Sequence, residues 1–286
     1  MQQRKSWNLS VVVTAPTDQG TVWFKAVPPF LADEGGVMGR VRRVDPDLPP
    51  TVLFHDAGRR VVLMDHVEGD DQWGLVDSSV IEAMVERWVA VQTALVDDVD
   101  HLLAVGAADV RARPFAAAVH DLVEDPLVRQ GLTSDELTVV DGLAAGLAHR
   151  MEQVEGCGLP DTLVHGDLHP GNWRRGADGQ GGSLTLLDWG DTAVGNPVLD
   201  LRAFVERLDG AALQQRTRHL WVGAWAAAVP GSDPARALRL LDPVAELLAA
   251  TTYQRFLGCI EVTERVYHRH DPLARLQAAV RVARES

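Results

Sequence analysis

Residues 162 to 191 set the tightest limit on what this 286-residue chain can fold into. There TLVHGDLHPGNW and SLTLLDWGD flank a glycine-rich turn, GADGQGG. Each flank is a short, apolar, strand-like run ending in acidic residues, set inside a stretch otherwise patterned as helix. Strands that finish on carboxylates deliver those carboxylates to one edge, an arrangement suited to chemistry rather than to a core. The turn itself needs only tolerance of positive φ, and no further role is assigned to it.

The rest of the chain divides in two. Residues 7–15, WNLSVVVTA, and 21–27, TVWFKAV, are β-branched and aromatic runs around the turn sequence TDQG, which predicts a hairpin. After Pro28 and Pro29, FLADEGGVMGRVRRV has helical spacing weakened by adjacent glycines, and TVLFHDAG and RRVVLMDHVEG again predict strands. From Ser78 onward, IEAMVERWVAVQTALVDDVDHLLAVG repeats its apolar residues at i, i+3, i+4 and i+7. Further helices are predicted at 114–124, at 134–155 behind Thr133-Ser134-Asp135, and at 198–228, 234–250 and 252–269. The expected class is α+β and bilobal: a small antiparallel β lobe with one helix over residues 1–67, a larger mainly α lobe over 68–286, and a hinge at Met64 to Val67.

Composition excludes several alternatives. There is no apolar run long enough for a membrane span, the N-terminal MQQRKSWNLS has no secretory h-region, and Cys157 and Cys259 have no metal-type spacing. A cytoplasmic protein without zinc or disulfide is expected. The formal charge of -13 disfavours nucleic acid and anionic membranes and favours a cationic small-molecule partner, although solubility alone would account for it equally well. Of the 27 basic side chains only Lys5 and Lys25 are lysine, and asparagine occurs only at 8, 172 and 196, as in a protein of a high-GC bacterium. Under such pressure lysine and asparagine persist where arginine or aspartate will not serve, which singles out Lys25 and Asn172.

His165-Gly166-Asp167-Leu168-His169-Pro170-Gly171-Asn172 has the spacing of the kinase catalytic loop H-x-D-x-x-x-x-N, and Leu187-Asp188-Trp189-Gly190-Asp191 follows with tryptophan in the middle of an Asp-Phe-Gly-like element. Together with GNPVLDL at 195–201, these segments resemble the aminoglycoside phosphotransferase family within the protein-kinase-like fold. The resemblance implies Asp167 as catalytic base, Asn172 and Asp188 as Mg2+ ligands, and His165, Asp191 and Asp200 as supporting residues. ATP or GTP would be the phosphoryl donor and a hydroxyl of a small molecule, an aminoglycoside or amino sugar among the choices, the acceptor.

Within that resemblance Lys25 takes the place of the phosphate-binding lysine, with Glu34 nine residues later as its partner; the plainer reading is an exposed strand lysine and a solvated glutamate. Met64 would back the base pocket, and backbone groups of Asp65, His66 and Val67 would meet the base. His169 in the loop, and Tyr253 and Glu261 beyond it, are candidate acceptor contacts. The family's N-terminal lobe has two strands before the lysine strand, and here only about twenty residues precede Lys25. A shortened lobe would suit a kinase-like binding protein without catalysis. A third reading takes Asp167-Leu168-His169 with Gly171-Asn172 as a metallophosphoesterase signature, although Trp173 stands where a histidine would be needed.

Overall fold

The computed structural model describes residues 1–7, 9–74, 77–176 and 183–285. In chain order the N-terminal part contains β1 (Gln2–Trp7), β2 (Ser10–Thr17), β3 (Gly20–Ala26), α1 (Glu34–Val41), β4 (Val52–Asp56), β5 (Val61–Asp65) and β6 (Asp70–Asp71), then α2 (Ser78–Ala94), α3 (Val99–Ala104) and β7 (Ala108–Asp109). The helices α4 (Ala112–Glu124), α5 (Pro126–Gln130) and α6 (Ser134–Glu155) precede β8 (Thr162–Val164), β9 (Trp173–Arg175), β10 (Leu184–Leu186) and β11 (Ala193–Gly195). The chain ends with α7 (Val198–Glu206), α8 (Ala211–Ala228), α9 (Pro234–Cys259), α10 (Arg265–His268) and α11 (Asp271–Glu285).

The N-terminal sheet is antiparallel with five strands in the order β1-β2-β3-β5-β4. The expected strand over 7–15 is therefore two strands, with Trp7 opposite Ser10. The first went unread because QQRKSW is polar, and a charged edge strand is how a sheet discourages pairing with another chain. Two strands thus precede the one bearing Lys25, and the lobe is not short of a strand. Lys25 pairs with Val12 on one side and Val62 on the other, in the middle of the sheet.

In α2 the Asp77 carboxylate caps the amides of Ser79 and Val80, and Val80, Ile81, Met84, Val85, Trp88 and Val89 form the buried stripe. α8 packs against α2. The predicted helix 198–228 is broken between α7 and α8, where Gly210 adopts φ 90°. The helix predicted to start at Thr133-Ser134-Asp135 begins with a capping box, Thr133 bonding the Glu136 amide and Glu136 bonding back. Conversely, the expected pair 234–250 and 252–269 is one helix as far as Cys259, because the hydroxyls of Thr251 and Thr252 turn back onto the Leu248 carbonyl instead of ending it.

The chain divides into two compact units, residues 1–108 with 161–228, and residues 109–160 with 229–286. In the second, α9 packs against α4, α6 and α11. Cys157 and Cys259 are both free thiols, and among the described residues no helix is long and apolar enough to cross a membrane. Of the GADGQGG turn, residues 177–182 lie outside the described residues.

Candidate active site

The segment from His165 to Asn172 is fixed from below by a buried carboxylate. β8 is fully buried and pairs with β11, and it hands the chain to His165. One oxygen of Asp200, on α7, accepts the His165 amide at 2.9 Å, the Trp88 indole N–H at 3.0 Å and the Gln92 side-chain amide at 3.2 Å, while the other accepts the Gly166 amide at 3.1 Å. Burial pushes the Asp200 carboxyl up to about 7, against four N–H donors that all favour the carboxylate.

His165 joins this loop to the second acidic strand. Its Nε2 bonds the Leu187 carbonyl at 3.0 Å, and its Nδ1 accepts the Asp167 amide at 3.4 Å, which together define a neutral ring protonated on Nε2. Burial holds its pKa down at about 4, in agreement with that state. The chain then turns sharply at Gly166, φ 84°, where a Cβ would lie 2.1 Å from the Asp191 carbonyl oxygen.

Asp167 emerges from this turn with its side chain 43% exposed. Partial burial would raise its pKa, but His169, His165 and Asn172 outweigh that and hold it at about 2. The Asn172 amide nitrogen donates to the Asp167 carbonyl at 2.9 Å and to its carboxylate at 3.4 Å, and His169 Nε2 stands 3.5 Å from the same oxygen.

The third cluster joins the two strand systems. Lys25 Nζ lies 2.5 Å from Glu34 Oε1 and 2.5 Å from Asp188 Oδ1. Burial alone would lower the ammonium pKa, yet the two carboxylates hold it well above the usual lysine range. Burial raises the Glu34 carboxyl, and Lys25 overcomes desolvation to keep the Asp188 carboxyl low. Asp188 is in the left-handed region, φ 67° and ψ 63°, which directs its half-exposed carboxylate off the end of β10. Behind it Trp189 is buried, donates its indole N–H to the Leu186 carbonyl at 3.0 Å and packs on His165 and Trp88. The Asp191 turn closes against Gly166, and the Gly190 carbonyl accepts the Ala32 amide just before α1.

These oxygen donors suit a hard divalent cation. The Asn172 nitrogen is committed to Asp167, which leaves its amide oxygen as a ligand, and Asp188 adds a half-exposed carboxylate with one oxygen on Lys25. By contrast, among the described residues no group of three or more His, Cys, Asp or Glu side chains is placed to hold a metal, as a binuclear phosphoesterase would require.

Met64 lies one residue before the end of β5, opposite Trp23 on β3. The Asp65 amide is taken by the Thr51 carbonyl and the His66 amide by that of Thr21, and the His66 ring stacks on Trp23 and accepts its indole N–H at 3.0 Å. Tyr253 and Glu261 belong to the other unit: Tyr253 lies on α9 with the Arg275 guanidinium 5.8 Å from its ring centre, and Glu261 is exposed just beyond that helix.

Two residues near the site went unread in the sequence. Trp73 is 51% exposed yet held in place, with its amide on Asp71, the Gln72 amide on the Pro170 carbonyl, and β6 paired with β9. Its ring meets His169 edge-on at 5.2 Å. A tryptophan in the polar stretch after the hinge was the available signal. The other is His55, whose contact with Asp33 spacing could not reveal.

A five-stranded sheet with a central lysine, a helix supplying its glutamate, a catalytic loop and an Asp-Trp-Gly turn define a protein-kinase-like fold. Residues 16–238 match the model of the phosphotransferase enzyme family, and the chain belongs to that family. Among solved structures, a choline/ethanolamine kinase family protein from Mesorhizobium loti superposes with TM-score 0.63 at 15% identity, over 98% of this chain and 87% of that one. A macrolide 2'-phosphotransferase from Brachybacterium faecium gives TM-score 0.62 at 18% identity, over 96% and 90%. The GDP and kanamycin complex of APH(2")-IIia gives 0.64 at 13%, over 98% and 92%. At these identities the likeness is one of fold. A search of curated proteins found no match.

Proposed function

We propose that this protein transfers the γ-phosphoryl group of ATP or GTP to a hydroxyl of a small molecule. The observation that carries the reading is the pairing of Lys25 with both Glu34 and Asp188, in the same compact unit as an exposed Asp167 carboxylate steadied by Asn172. That set supplies each part phosphoryl transfer needs. In this reading residues 1–67 bind the nucleotide, and residues 68–286 carry the catalytic loop and the acceptor site.

Asp167 accepts a hydrogen bond from the acceptor hydroxyl and aims its oxygen at the γ-phosphorus. With a pKa of about 2 the carboxylate is a weak base, so it orients the hydroxyl and takes the proton late, as the new P–O bond forms and the bond to the β-bridging oxygen breaks. Asn172 and Asp188 would hold Mg2+, which neutralises phosphate charge when bound. Lys25, kept charged by its neighbours, would exchange Asp188 for phosphate oxygens while Glu34 holds it in place. Because the Asp65 and His66 amides are already bonded, the Asp65 carbonyl and the Val67 amide are the hinge groups for the base. Met64 would line its pocket.

His169 and Trp73 would border the acceptor; Tyr253 and Glu261 stay candidate acceptor contacts on the sequence resemblance alone. The related structures name a choline/ethanolamine kinase family protein, a macrolide 2'-phosphotransferase and a kanamycin complex, and the charge of -13 favours a cationic acceptor. A soluble, cytoplasmic, bacterial enzyme fits the composition. The test is to incubate the protein with Mg2+, ATP or GTP, and kanamycin, a macrolide, choline, ethanolamine or an amino sugar in turn, following phosphomonoester formation by phosphorus NMR. An acceptor-dependent phosphomonoester supports the reading; nucleotide binding without transfer to any acceptor favours a binding module instead.

A further inference from the structure

Two adjacent glycines, Gly35 and Gly36, occupy the first turn of α1, where they weaken the helix that presents Glu34. Close neighbours explain both, the His55–Asp33 contact at each of them and Val105 as well at Gly36. His55 on β4 directs Nε2 onto the carboxylate of Asp33, 2.7 Å from one oxygen and 2.9 Å from the other. A Cβ on Gly35 would lie 2.3 Å from the His55 ring, and one on Gly36 would lie 2.9 Å from both Asp33 Oδ2 and Val105 Cγ1. The glycines make room for the contact.

Asp33 stands at the N-cap position of α1 but makes no side-chain cap bond; its carboxylate, in a residue only 5% exposed, faces His55 instead. Its backbone is held as well, the amide on the Val105 carbonyl and the carbonyl on the Val37 amide. Glu34 is the next residue, and its carboxylate is 2.5 Å from Lys25.

We propose that His55 is a positioning residue: by gripping Asp33 it fixes the first turn of α1 and so keeps Glu34 against Lys25. The consequence for catalysis rests on Lys25 being the phosphate-binding cation, but the clasp itself does not. A ring that merely filled space would leave Lys25 protected once its volume was preserved, which separates positioning from packing.

The chain has only two lysines, so the state of Lys25 can be read directly. Native protein is acetylated briefly with an N-hydroxysuccinimide ester, and Lys25 labelling is measured by mass spectrometry relative to Lys5. Wild-type Lys25, 11% exposed and ion-paired, labels slowly. His55→Phe keeps a ring but loses the Nε2 bond, and Lys25 labelling is expected to rise about ten-fold as the first turn opens locally. His55→Gln, still able to donate, stays nearer wild type. Glu34→Gln marks the level reached when the pairing is lost outright. Circular dichroism and melting confirm folding, and if His55→Phe does not fold, Asp33→Leu, close in volume but unable to accept the Nε2 bond, takes its place. Lys25 as protected as in wild type in a folded His55→Phe or Asp33→Leu, while Glu34→Gln exposes it, overturns the proposal. If labelling rises but wild type binds neither MgATP nor MgGTP, the phosphotransferase reading fails and the clasp stands.

Discussion

The side chain of Asn172 donates one amide hydrogen-bond system to Asp167, at 2.9 Å to its carbonyl and 3.4 Å to its carboxylate. The residue proposed to hold the metal therefore also steadies the Asp167 carboxylate, the proposed base. Asn172→Ala should lower kcat about a hundred-fold or more, because both the aim of Asp167 and an oxygen ligand are lost. Steady-state kinetics across a Mg2+ titration checks this; the variant should also need more Mg2+ for half-maximal rate.

Removing Lys25 strands a buried carboxylate. Lys25→Met should destabilise the fold by about 3 kcal/mol, at the low end for a broken buried pair because Glu34, already raised by burial, can take up a proton. Denaturant unfolding measures it. Lys25→Met with Glu34→Gln should recover part of the loss, since no buried charge is then left without a partner.

This cluster was legible in the sequence for a particular reason. Lysine is so scarce in the chain that Lys25 stood out, and the catalytic motifs name their residues by spacing alone. The Lys25–Asp188 contact joins residues far apart in sequence, and no spacing pattern announced it. The edge strand β1 was hidden by its polarity, and the His55–Asp33 clasp by the absence of any local pattern linking a strand histidine to a helix cap. Trp73 was visible as a residue but not as a neighbour of His169, because that depends on the pairing of β6 with β9.

Acid sensitivity should centre on His165. The unfolded chain takes up its proton near the ordinary value of 6.5, the folded one only near 4, so between these values the unfolded state binds more protons and stability falls as pH falls. The loss from this residue amounts to roughly 3 kcal/mol over that range. Asp200, pushed up to about 7, acts in the opposite sense, so the His165 contribution is the difference between wild type and His165→Gln in unfolding free energy against pH. His165→Gln should show the shallower acid limb, and in wild type the imidazole resonance should not titrate above about pH 5.

Gly166 allows no side chain. Gly166→Ala meets both positive φ and a Cβ only 2.1 Å from the Asp191 carbonyl, so the turn must move. A destabilisation of about 2 kcal/mol or more is expected, together with a fall in kcat from the displaced Asp167. Thermal unfolding and kinetics on the same preparation check both.

The most direct test of the account is Asp167→Asn, assayed for acceptor-dependent nucleotide consumption and for MgATP and MgGTP binding by calorimetry. The substitution keeps the shape and the contact with Asn172 but removes the carboxylate proposed to orient the hydroxyl and take its proton. The account predicts that kcat falls about a thousand-fold while nucleotide affinity stays at the wild-type level. Turnover at the wild-type rate in the Asp167→Asn variant would contradict it.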